Sequence, residues 1–120
     1  MLEGAFFYIR MLDTADNTVR ATLELNAAHA IFRGHFPGQP VVPGVCMMQM
    51  TKEIIERVLG RETRLVMAAQ LKFLAVLTPG DSHPLLMELT LMPRDKGETG
   101  VEAQLLHGSI CCFKFKGTFA

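Results

Sequence analysis

A single histidine, His35, lies in a run of glycines and prolines, "GHFPGQPVVPGV", that leads straight into an apolar helix pattern. Neutral imidazole has a pKa near ~6.5 and accepts or returns a proton at physiological pH, so a histidine held in a constrained loop is a candidate general base. The connection from residue 26 to 44 holds Gly34, Pro37, Gly38, Pro40, Pro43 and Gly44, and a loop that long in a compact domain is usually functional. Taken alone, a loop histidine is more often a surface residue; its place inside this pattern singles it out. Cys46 follows at the helix start, where the helix dipole lowers a thiol's pKa. No base is placed by sequence to activate it, and it reads as a small buried side chain. His29, His35, His83 and His107 lack the companion ligands and spacing of a metal site, so no metal or other cofactor is expected.

The composition narrows the function classes. Of 120 residues, 49% are hydrophobic and 20% charged, which suits one folded domain over 1–120 burying very roughly two thirds of its unfolded surface. So much apolar material in a small chain predicts burial against another copy. Twelve basic residues balance twelve acidic ones without any basic block, so nucleic acid is not an expected partner. Cys46, Cys111 and Cys112 are an odd number without CxxC spacing, which fits reduced thiols in a cytoplasm. The opening "MLEGAFFYIRML" contains Glu3 and Arg10 and precedes no small-residue cleavage site, so no signal peptide is expected. No run is long enough to cross a bilayer, and no membrane partner is expected.

The elements that must position these residues follow from periodicity. The helix should start near Pro43, because proline suits a first helical turn, and end at Gly60. Its front, "VCMMQM", is almost wholly apolar and predicts burial on all sides. Behind it Ile54, Ile55, Val58 and Leu59 oppose a polar stripe of Lys52, Glu53, Glu56 and Arg57. Strand patterns run from Phe6 to Met11 and through "TVRATLEL", with "DTADN" as the turn between them. Three or four more follow in "RLVMAAQLKFLAVL", "PLLMELTLM", "TGVEAQLLHG" and "SICCFKFKGTF". One helix and five or six largely antiparallel strands predict an α+β domain with the helix on one face of the sheet.

The residues from Gly34 to Val45 resemble the signature of the FabA/FabZ-type 3-hydroxyacyl-(acyl carrier protein) dehydratases, which are hot-dog folds. The segment "KFLAVLTPGD" is similar to that family's strand and turn, with Val76 where a proline is common. The resemblance covers nearly the whole chain. It implies a long helix wrapped by an antiparallel sheet and a dimer that joins two sheets into one. The site it implies lies at the dimer interface, where one subunit's histidine meets a glutamate or aspartate on its partner's helix. By that resemblance His35 is the base for the C2 proton, the Gly44 backbone N–H faces the thioester oxygen, and Phe36, Pro43, Val45, Met48 and Phe73 contact substrate. The substrate is an acyl thioester of acyl carrier protein or coenzyme A, in fatty-acid or polyketide-like metabolism. Met47, Met48, Met50 and Met67 either line an acyl tunnel or fill the core. Arg33, Arg61, Arg64, Lys114 and Lys116 either meet an acidic carrier protein or form an ordinary solvated face.

The family's carboxylate falls fourteen positions after the histidine, and in this chain that position is Gln49. An amide donates and accepts hydrogen bonds but lends no proton, and losing a general acid costs ~10²–10⁴ in rate. Three readings stay open. His35 both takes the C2 proton and returns it to the leaving hydroxyl while Gln49 orients that hydroxyl, with Glu53, one turn further along, as a possible helper. Alternatively the chain is a catalytically silent acyl-binding subunit, or half of a hot-dog heterodimer, rather than a homodimer or an assembly of dimers. The third reading is an acyl thioesterase, disfavoured because the helix start carries no carboxylate.

Overall fold

The computed structural model describes residues 1–34, 38–80 and 83–120. In chain order it contains β1 (Phe7–Ala15), β2 (Thr18–Leu25), α1 (Ile31–Gly34), α2 (Gly44–Leu59), β3 (Leu65–Phe73), β4 (Leu85–Pro93), β5 (Thr99–His107) and β6 (Ile110–Phe119). The strands form one antiparallel sheet in the order β1-β2-β4-β5-β6-β3. Period-two alternation builds its inner face. Val19, Ala21 and Leu23 of β2 and Leu85, Met87, Leu89 and Leu91 of β4 turn inward, to form one core with Met50, Ile54 and Ile55 of α2. The expected α+β architecture, one long helix on one face of a six-stranded sheet, is therefore what the chain adopts.

Local chemistry sets the boundaries. Pro43, with φ −62 and ψ 145, precedes the first turn of α2. Gly60 ends the helix at φ 72, where its N–H reaches Glu56 O at 2.8 Å. The first strand continues to Ala15, beyond the Met11 expected from sequence, because Ala15 pairs with Thr18 and the chain reverses through Asp16 and Asn17 alone. Asp16 takes φ 53, which Asp tolerates better than most residues. The third strand is shorter than its apolar run: after Phe73 the N–H groups of Leu74 and Ala75 both turn to Cys112 O, which ends the ladder. The connection expected to be irregular holds one short helical turn, α1, whose Ile31 N–H is accepted by His29 Nδ1 at 3.1 Å. After α2, Glu56 accepts from Thr63 N at 2.7 Å. Burial alone would push the Glu56 carboxyl up, but the hydrogen bonds from Thr63 and the nearby Lys52 ammonium outweigh it and hold it below the ordinary value.

Two expectations about α2 require correction. Its front is not buried on all sides: Val45 is 77% exposed and Met48 and Gln49 are half-buried, because the sheet covers only one side of the helix. Glu53 does not belong to a solvated stripe, being 3% exposed.

β3 is an edge strand in which every residue is exposed, including Leu65, Val66, Met67, Leu71 and Phe73. It docks tightly on β6. A Cβ on Gly117 would lie 2.3 Å from Met67 O and 2.6 Å from Phe115 Cζ, so only glycine permits the bulged β3 backbone to cross there. Gly117→Ala is expected to lower stability by about 1–3 kcal/mol, the usual range for overpacking, measured by urea denaturation. An unchanged midpoint would show that β3 yields freely at this point.

Candidate active site

Helix α2 begins at the mouth of an apolar groove of about 510 Å³, whose walls include Pro43, Gly44, Met47, Phe73, Leu74 and Val76. At a helix start the first N–H groups lack intrahelical acceptors, and no acceptor among the described residues meets the Gly44 N–H. The groove mouth therefore combines an apolar wall with a backbone donor and the positive end of a helix dipole, an arrangement suited to an acyl group bearing an electron-rich oxygen. Phe73 packs on Gly44 so closely that a Cβ there would stand 2.7 Å from its Cζ. Only glycine at position 44 admits the ring in this place. Phe73 is itself 52% exposed and leans on Phe113 at 5.4 Å between ring centroids.

Gln49 lies on the first half of α2 and donates from Nε2 to Glu53 Oε2 at 2.8 Å. Glu53 is the hub of this region. Its Oε2 also accepts from Leu2 N at 2.7 Å, and its Oε1 accepts from Glu3 N at 2.7 Å. Glu3 in turn pairs with Arg57, one turn further along α2. Residues 2–6 thus form a strap across the helix. The strap continues into Phe6, fully buried, which stacks on Phe32 of α1 at 5.2 Å and meets His29 edge-on at 5.4 Å. It therefore links α2 at Gln49 with the short turn that leads into residue 35.

Of the residues picked out by sequence, Pro43, Gly44 and Phe73 share the groove. Val45 points away from the core, and Met48, partly buried, packs against the core. His35 and Phe36 lie outside the described residues. Among the four methionines considered, Met47 lines the groove, Met50 is fully buried in the core, and Met67 is exposed on β3. Sequence reasoning missed Leu74 and Ala75 as groove residues. The signal was the apolar run continuing past Phe73, which the strand assignment absorbed. His83 and His107 pack edge to face at 5.7 Å between ring centroids. Among the described residues no three His, Cys, Asp or Glu side chains gather to hold a metal, and no helix is long and apolar enough to cross a membrane.

One long helix packed against a six-stranded antiparallel sheet, with an apolar groove at the helix start, is the architecture of a hot-dog fold. Residues 12–104 match the family model described as ApeI-like, ApeI dehydratase, and the chain belongs to this family. It is 33% identical over 104 residues to the 3-hydroxyacyl-[acyl-carrier-protein] dehydratase FabZ of Streptococcus pyogenes, covering 79% of this chain and 72% of that protein. The FabZ of Syntrophomonas wolfei is 28% identical over 98 residues, covering 76% of this chain and 68% of that protein. A solved structure, the dehydratase heterocomplex ApeI:P from Xenorhabdus doucetiae, superposes with a TM-score of 0.73 at 22% identity, covering 93% of this chain and 96% of that one.

Cys46 is buried beside the groove, and burial pushes its thiol up from the ordinary value, which leaves less thiolate for attack. Cys112 is buried too, and its thiol is raised first by burial and then by neighbouring Cys111. Iodoacetamide at neutral pH is therefore expected to label Cys111 first and to leave Cys46 and Cys112 largely unmodified in the folded protein, as read by peptide mass spectrometry. Fast labelling of Cys46 would mark it as a nucleophile.

Proposed function

We propose that the chain dehydrates a 3-hydroxyacyl thioester to the 2-enoyl thioester, with the acyl group seated in the groove at the start of α2. The observation that carries this reading is Gly44 in the wall of an apolar groove, with its N–H met by no acceptor among the described residues. There a thioester oxygen would be met by a donor and the helix dipole, while the acyl chain lies against Phe73 and Met47. His35, assigned from its motif, removes the C2 proton and returns it to the departing hydroxyl. Gln49 holds that hydroxyl in place. Glu53 is not a spare acid in this scheme, because both its oxygens are occupied by backbone N–H groups. The thioester is carried by acyl carrier protein or coenzyme A, in fatty-acid or polyketide-like metabolism of the cytoplasm.

A dimer through β3 completes the proposal. The strand is long, apolar and unpaired on one side, a template for a further strand. Antiparallel pairing of β3 with a second copy about Ala69 would set Leu65 opposite Phe73 and Met67 opposite Leu71. Lys72, the strand's one charged residue, would then face Val66 and not its own copy. A second reading, in which the chain is the silent half of a hot-dog heterodimer, draws on two facts. No described side chain near the groove is a free carboxyl acid, and the related solved structure is a heterocomplex.

The purified chain is expected to convert a 3-hydroxyacyl pantetheine thioester to the enoyl product, followed by ultraviolet absorbance. His35→Ala should lose at least ~10²-fold in rate, the usual contribution of a general base. Turnover that appears only after a second hot-dog chain is added would favour the heterodimer, and release of free thiol would mark a thioesterase.

A further inference from the structure

We propose that Glu53 is a positioning residue that locks the Gln49 amide with its NH2 toward α2's strap, so that the Gln49 carbonyl accepts a hydrogen bond from the substrate's 3-hydroxyl. This rests on the acyl-thioester reading above. Chemistry fixes the orientation of the amide: a carboxylate oxygen only accepts, so the group 2.8 Å from Glu53 Oε2 must be the NH2 end of Gln49 and not its oxygen. The carboxylate cannot turn to release it. Its two oxygens are chelated by the N–H groups of consecutive residues, Leu2 and Glu3, at 2.7 Å each, in a site where Glu53 is 3% exposed. Gln49 is only half-buried, and no donor among the described residues meets its Oε1. The open end of the amide is thus an acceptor. Of the polar groups around the reacting carbons of a 3-hydroxyacyl thioester, the hydroxyl has a proton to donate, whereas the thioester carbonyl can only accept. Position 49 therefore recognises the hydroxyl of the substrate, and Glu53, without touching it, sets that preference.

The test uses two unreactive ligands, a 2,2-difluoro-3-hydroxyacyl pantetheine amide, which has no C2 proton to lose, and the same compound without the hydroxyl. Titration calorimetry on the full chain gives the ratio of their affinities. The unmodified protein is expected to favour the hydroxylated ligand roughly fivefold or more, the effect of one neutral hydrogen bond. In Gln49→Leu the ratio should fall to about one, and in Glu53→Leu, where the freed amide meets the hydroxyl in only part of its orientations, to an intermediate value. A wild-type ratio in Glu53→Leu overturns the proposal, because a purely structural carboxylate would weaken both ligands equally and leave the ratio unmoved. Where circular dichroism shows Glu53→Leu unfolded, Glu53→Gln replaces it. That amide can donate or accept, which frees Gln49 to flip, so an intermediate ratio supports the proposal and an unchanged one overturns it. Failure of both ligands to bind the unmodified chain would reject the acyl-thioester reading itself, and this proposal with it. A loss of discrimination confined to the variants separates the two.

Discussion

A buried carboxylate holds this molecule's functional end together. Removing a carboxylate from water is costly unless its oxygens find donors, and Glu53 finds three: two backbone N–H groups of the strap and the Gln49 amide. The strap must lie across α2 for the carboxylate to be buried there at all. Its course then delivers Phe6 and Phe7 into the core and sets Phe6 against Phe32, which shortly precedes His35 in the sequence. One charge thus ties the N-terminal segment to the central helix, and that segment carries on to α1.

The sheet supplies the other half of the site. Because β3 ends at Phe73 and the chain then turns toward Cys112 O, the ring of Phe73 reaches the helix start, and glycine at position 44 lets it rest there. The groove that results is apolar along its wall and polar only where the helix begins. Within a family of dehydratases, this chain keeps the donor at the helix start and carries an amide at the position where the resemblance calls for an acid. One proton carrier, His35, is left to serve both halves of the proposed elimination.

Much of this was legible in the sequence where the controlling chemistry is local. Pro43 and Gly60 bracket α2 because φ preferences act on single residues, and alternation in "TVRATLEL" and "PLLMELTLM" announces half-buried strands. Glu53 could not be read the same way. Its spacing fits a polar stripe, and its partners are backbone N–H groups some fifty residues earlier, which leave no mark in side-chain pattern. The exposure of Val45 was equally hidden, since it depends on where the curved sheet stops and not on the composition of the helix front. Leu74 and Ala75 joined the groove because Cys112 O ended the strand before the apolar run did.

The central claim is that one ionising group serves this site and that position 49 adds none. It is tested most directly by kcat/KM for a 3-hydroxyacyl thioester as a function of pH. With imidazole as the sole proton carrier, the value should rise once, through the range near ~6.5, and then stay level on the alkaline side. A bell-shaped profile, with activity falling again as a second group loses its proton, would reveal an acid at work and contradict the account.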